Sequence, residues 1–69
     1  MGRVSDDELY YRNMVLMLLG RNAIIMRYLC GYCVEPRTAK NFYHLGCYEY
    51  FAEIDDAYKY AMTNPFNGE

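Results

Sequence analysis

The sequence predicts a mainly α fold, a small domain of two or three helices folded about a central turn. Three observations predict it. Ser5-Asp6-Asp7-Glu8 has the form of a helix-starting capping box, apolar residues then recur at helical spacing as far as Leu29, and the spacing returns from Cys47 to Ala61. Between the two periodic stretches lies Cys30-x2-Cys33-x10-His44-x2-Cys47, which uses every cysteine and the only histidine of the chain.

The first element is expected over residues 5–30. A Ser5 hydroxyl can cap the amide three residues on while Glu8 reaches back, and three acids suit the positive end of a helix dipole. Beyond them Leu9, Val15, Leu16, Leu19, Ile24, Ile25, Tyr28 and Leu29 form the apolar pattern, with Arg12, Asn13, Arg21 and Arg27 as its polar breaks. Gly20 leaves two options. It either stands just past the end of one helix, with Asn22 capping a second, or it is carried inside a single helix at a cost of about 1 kcal/mol.

Cys30-Gly31-Tyr32-Cys33 closes that pattern, and Pro36 forbids helix because it lacks an amide proton and disfavours helical geometry at Glu35. Residues 30–47 are therefore read as a turn. A helix is expected over about 47–63, where Cys47, Tyr50, Phe51, Ile54, Ala57, Tyr58 and Ala61 make one stripe and Glu49, Glu53 and Asp56 another. Asn64-Pro65 stops it, leaving 64–69 as a frayed tail. A competing arrangement, a small α+β zinc-ribbon-like fold, makes Phe42–Phe51 β because Tyr48, Tyr50 and Phe51 favour strands and Gly46 weakens a helix; the helix then begins near Glu53.

At 69 residues the chain forms one domain with a marginal core, since a chain of this size buries only about 60% of its unfolded surface. Natural domains below roughly 70–80 residues usually add a disulfide, a metal or a partner chain. The composition is that of a folded protein, 54% hydrophobic and 17% aromatic with nine tyrosines. A domain this small cannot hide nine amphipathic rings, so surplus Tyr and Met point to an interaction surface. The net charge of -2 is segregated: Arg12, Arg21, Arg27, Arg37 and Lys40 crowd the middle, and acids crowd both ends. No secretory signal is expected, because acids precede the apolar stretch and no small-residue cleavage site follows it. Gly20, Arg21 and Asn22 interrupt that stretch too soon for a membrane span. The expected compartment is the cytoplasm, where thiols stay reduced and available to metal, or the host cytoplasm for a phage-encoded chain.

Cys30, Cys33, His44 and Cys47 have the chemistry of a structural zinc site. Zinc takes four soft or borderline ligands in a tetrahedron, and two-residue spacings let each pair point at one ion, with Gly31 and Gly46 easing the curl of the backbone. Structural zinc contributes an apparent ~10–16 kcal/mol, comparable with the whole stability of a domain. Arg27, Arg37 or Lys40 would donate to the thiolates. The pattern resembles zinc-finger and zinc-ribbon modules over residues 30–47 only, with an unusual His-x2-Cys half, and implies no particular partner. A closed Cys3His site leaves no position for a catalytic water, and Cys-Gly-Tyr-Cys follows a helical pattern instead of the strand a thioredoxin-like redox pair requires.

These readings converge on a non-enzymatic binding protein that engages a protein target through a Tyr- and Met-rich face. Self-association into a homodimer is a second way to bury the wide apolar stretch at 14–29. Size and the lack of a catalytic constellation suggest a phage or mobile-element inhibitor of a host enzyme, of the anti-CRISPR or polymerase-inhibitor type. The alternative is a zinc-finger regulator binding nucleic acid through Arg37, Lys40, Phe42 and Tyr43, a cation and aromatic set suited to phosphates and stacked bases. An acidic chain with so few cations makes that alternative the weaker one.

Overall fold

The computed structural model describes residues 4–37 and 47–67. Along the chain it places α1 (Asp6–Leu18), β1 (Ala23–Tyr28), β2 (Gly31–Pro36), β3 (Glu49–Phe51) and α2 (Ile54–Met62). The strands form one antiparallel sheet in the order β1-β2-β3. One sheet face, through Ala23, Ile25, Tyr32 and Val34, shares a core with Leu16 of α1 and Ile54, Ala57 and Ala61 of α2. This α+β architecture overturns the mainly α expectation.

α1 begins with the Ser5 half of the capping box, the hydroxyl accepting from the Glu8 amide at 3.1 Å, while the Glu8 carboxylate bonds Arg12. It ends well before residue 30. Gly20, at φ 77°, follows the C-cap Leu19, and the Gly20 and Arg21 amides donate to the Met17 and Leu16 carbonyls at 3.0 and 2.9 Å. That pair of bonds is the Schellman closure, and a left-handed φ is what makes glycine suited to it. Asn22 caps no second helix. Its amide donates to the Asn64 side chain and its own Nδ2 donates to the Phe66 carbonyl, which ties the start of β1 to the end of the chain's second helical region.

Beyond Asn22 a short apolar run satisfies either period, and the strand period wins. Ala23 and Ile25 are buried while Met26 and Tyr28 are exposed, an alternation with β-branched and aromatic side chains that suits a pleated surface. β2 then pairs with β1 from Ala23↔Pro36 to Tyr28↔Gly31. The expected turn over 30–47 hid this strand because Gly31–Glu35 are all buried, so no polar-apolar alternation marks it. It is the central strand, covered on both faces. Pro36 closes it at the last position, where the missing amide costs least.

The expected helix over about 47–63 shortens at its N-terminal end. Phe51, Tyr50 and Glu49 pair with Tyr32, Cys33 and Val34, and a bend at residues 52–53 separates this strand from α2, whose N-cap is Glu53. Within α2 the helical stripe survives as the buried Ile54, Ala57 and Ala61, with Tyr58 partly buried against the same core. Small residues at 57 and 61 let α2 lie close to it.

Two side chains lock α1 into place. Asn13 donates to the Ile25 carbonyl at 2.9 Å and accepts from the Ile25 amide at 2.8 Å, so its amide group occupies the outer edge of β1 as a strand backbone would. Arg12 bonds Glu8 at 2.7 Å and Asp55 at 3.1 Å and stacks over the Tyr58 ring, joining α1 to α2. Arg27 secures the N-terminal end by donating to the Val4 carbonyl and to Asp6. Among α1 residues only Leu16 is fully buried, and Tyr10, Tyr11, Met17 and Leu18 stand largely in solvent. No helix among the described residues is long and apolar enough to cross a membrane.

Candidate functional site

Cys33 lies on β2 with its side chain on the sheet face away from the helices, opposite Met26 of β1 and Tyr50 of β3. It is 2% exposed and bonded to Cys47, with the two Cα atoms 5.5 Å apart. This disulfide removes the expected zinc site. A sulfur engaged in a disulfide has no thiolate to offer a metal, so two of the four candidate ligands are withdrawn. Cys30 is a free, exposed thiol on the β1–β2 loop, and His44 lies outside the described residues. No cluster of three or more His, Cys, Asp or Glu side chains able to hold a metal occurs among the described residues. What the cysteines supply instead is a covalent tie between the central strand and the segment entering β3, a different answer to the same shortage of core.

The described candidate cations are engaged elsewhere. Arg37 donates to the Ala23 carbonyl at 2.9 Å and to the Arg21 carbonyl at 3.4 Å, so its guanidinium closes the start of β1 and is no donor to thiolates. Arg27 is spent on Val4 and Asp6. Lys40, Phe42 and Tyr43 lie outside the described residues.

The feature that sequence reasoning missed is the outer face of the sheet. Strand alternation sends Ile24, Met26 and Tyr28 of β1 and Tyr50 of β3 to that face, and Met26, Tyr28 and Tyr50 are 38–45% exposed there. Tyr28 and Tyr50 meet edge to face with centroids 6.3 Å apart. Tyr50 reaches diagonally over Gly31, where a Cβ would collide with its phenol and stand 2.6 Å from the Phe51 carbonyl. Only glycine fits under that ring. The Cys30 sulfur lies 3.9 Å from the Tyr50 hydroxyl, and this hydrogen bond, aided by partial desolvation, holds the phenol above its ordinary pKa of 10.0. Leu29, 76% exposed with φ 52°, stands at the adjoining hairpin tip. The period-2 alternation of residues 23–28 was the available signal, masked by an equally good helical spacing. No protein-family model matches this chain, and neither the curated proteins nor the solved structures contain one significantly similar to it.

Proposed function

We propose that this chain is a non-enzymatic binding module that presents the outer face of its sheet to a protein partner. The observation that carries the reading is the set Met26, Tyr28 and Tyr50, exposed on the same sheet face that carries the Cys33–Cys47 bond, with Leu29 exposed at the adjoining hairpin tip. Tyrosine and methionine are over-represented where proteins meet, tyrosine because a rigid ring buries large area at modest entropic cost and methionine because its flexible, polarizable side chain adapts to a partner's surface. Pre-positioning matters equally. Tyr50 is held by Gly31, Tyr28 and Cys30, so less side-chain freedom is lost on docking. Occluding the working surface of a larger enzyme is a form of action that needs no chemistry from the small partner, and the inhibitor reading rests on that.

The disulfide favours an oxidising compartment over the cytoplasm that a zinc site implied. Arg37, the described member of the nucleic-acid set, is committed to two backbone carbonyls, which supports the protein partner over nucleic acid. Affinity capture from extracts of the source cells tests the reading. Wild type should retain one stoichiometric protein, and Tyr28→Ala with Met26→Glu, folded by circular dichroism, should lower retention at least about tenfold, as expected for loss of central anchors. Equal capture by both forms, or retention on heparin in place of a protein partner, would reject it.

A further inference from the structure

α1 carries far more apolar surface than the core of one chain takes up. Its inward arc is Leu9, Arg12, Asn13 and Leu16, which reach the core, Asp55 and Ile25. The opposite half presents Asp7, Tyr10, Tyr11, Met14, Met17 and Leu18. A helix apolar on both sides has a second surface to cover. The spacing of those six positions is that of a seven-residue repeat, the pattern by which two helices pack along a seam. It is also symmetric about Met14. Laid antiparallel on itself, the row sets Tyr10 against Leu18, Tyr11 against Met17 and Met14 against its own copy.

The charges follow the same symmetry. Asp7, exposed at the N-terminal end, enters no ion pair among the described residues, whereas its neighbours Asp6 and Glu8 are taken by Arg27 and Arg12. At the other end Arg21 donates to the Met62 and Leu19 carbonyls and Arg37 to those of Ala23 and Arg21, with no carboxylate on either guanidinium among the described residues. An antiparallel pair brings each Asp7 to the partner's basic end and opposes the two helix dipoles. Beside the seam a groove of about 210 Å³, lined by Tyr10, Asn13, Met14, Met17, Ile24 and Arg37, offers room for a side chain from the other copy.

We infer that two copies of this chain associate through α1, antiparallel about a two-fold axis at Met14. The interface is isologous, each copy giving the same patch. A 13-residue helix is only about 20 Å long, so the contact lies at the small end of specific interfaces, among weak and transient associations. Of the outer-face residues only Ile24 lines the groove beside the seam; Met26, Tyr28 and Tyr50, assigned to the partner above, do not.

Sedimentation equilibrium of the oxidised chain, with Cys30→Ser to exclude cross-linking at the hairpin, tests the inference over about 1 μM to about 1 mM. A monomer–dimer equilibrium is expected, weakened at least about tenfold by Met14→Glu, which sets like charges together at the axis, and similarly by Asp7→Arg. Met26→Glu on the sheet face should leave it unchanged. In the same Cys30→Ser background, Met14→Cys should form a covalent dimer with oxidised glutathione, a readout that survives even where the glutamate variant fails to fold. A monomer throughout the range, a dimer indifferent to Met14→Glu, or one dissolved by Met26→Glu would overturn it.

Discussion

Tyr50 makes the sheet's outer face a defined surface, and it does so through two neighbours. Gly31 leaves the space under its ring, and the Cys30 sulfur engages its hydroxyl. The proton therefore leaves Tyr50 at a higher pH than an ordinary phenol releases it. Because the folded-state pKa is raised, the contribution to stability is complete below the unfolded value of 10.0 and fades as pH climbs through the folded one. An NMR titration of the tyrosine Cζ resonances should place Tyr50 above 10.0, and Cys30→Ala should bring it back toward that value. Coincident titration of Tyr50 in both proteins would remove the sulfur from this account. None of this was legible beforehand. Cys30 read as a ligand because its spacing to Cys33 suits zinc, whereas Cys30 sits in the hairpin turn with its sulfur at the Tyr50 hydroxyl and Cys33 is bonded to Cys47.

Elements in this protein are decided where local signals run out. The capping box at Ser5 and the Gly20 closure were legible because each is a short-range hydrogen-bond device written in adjacent residues. β1 was not, since Ile24, Ile25, Tyr28 and Leu29 fit a helix as well as a strand and only pairing with β2 breaks the tie. β2 was hidden by its own success, a central strand buried on both faces shows no alternation. β3 borrows its order from Tyr32 and Cys33 across the ladder, so the mainly α expectation absorbed its three residues into the periodicity of α2 and only the competing α+β arrangement made them a strand. Asn13 is the joint between α1 and this sheet. Removing its amide leaves the Ile25 amide and carbonyl without their partner, a loss of about 1–3 kcal/mol for buried polar groups. Chemical denaturation of Asn13→Ala should show that decrease; a midpoint equal to wild type would mean that water replaces the side chain.

For the molecule as a whole, a shortage of core was the firmest expectation, and a covalent tie is how the fold meets it. Sequence indicated that Cys33 and Cys47 belonged to a staple, but spacing alone could not tell a zinc-bound set from a disulfide with one thiol left over. The Cys33–Cys47 bond spans a sequence separation of 14, and closing a loop near that length is worth about 3 kcal/mol in the unfolded chain. Thermal melts with and without dithiothreitol should therefore differ by roughly 12–24 °C, given about 4–8 °C per kcal/mol at this size. Zinc added to the oxidised chain should leave its melt where it was, and a zinc-dependent rise would reopen the metal. The Asn13 contact with Ile25 reaches further than the stability of one protomer. An open strand edge is a template on which chains can add without limit, the route to fibres and precipitates. By occupying the Ile25 amide and carbonyl, the Asn13 side chain denies that stretch of the β1 edge to another chain.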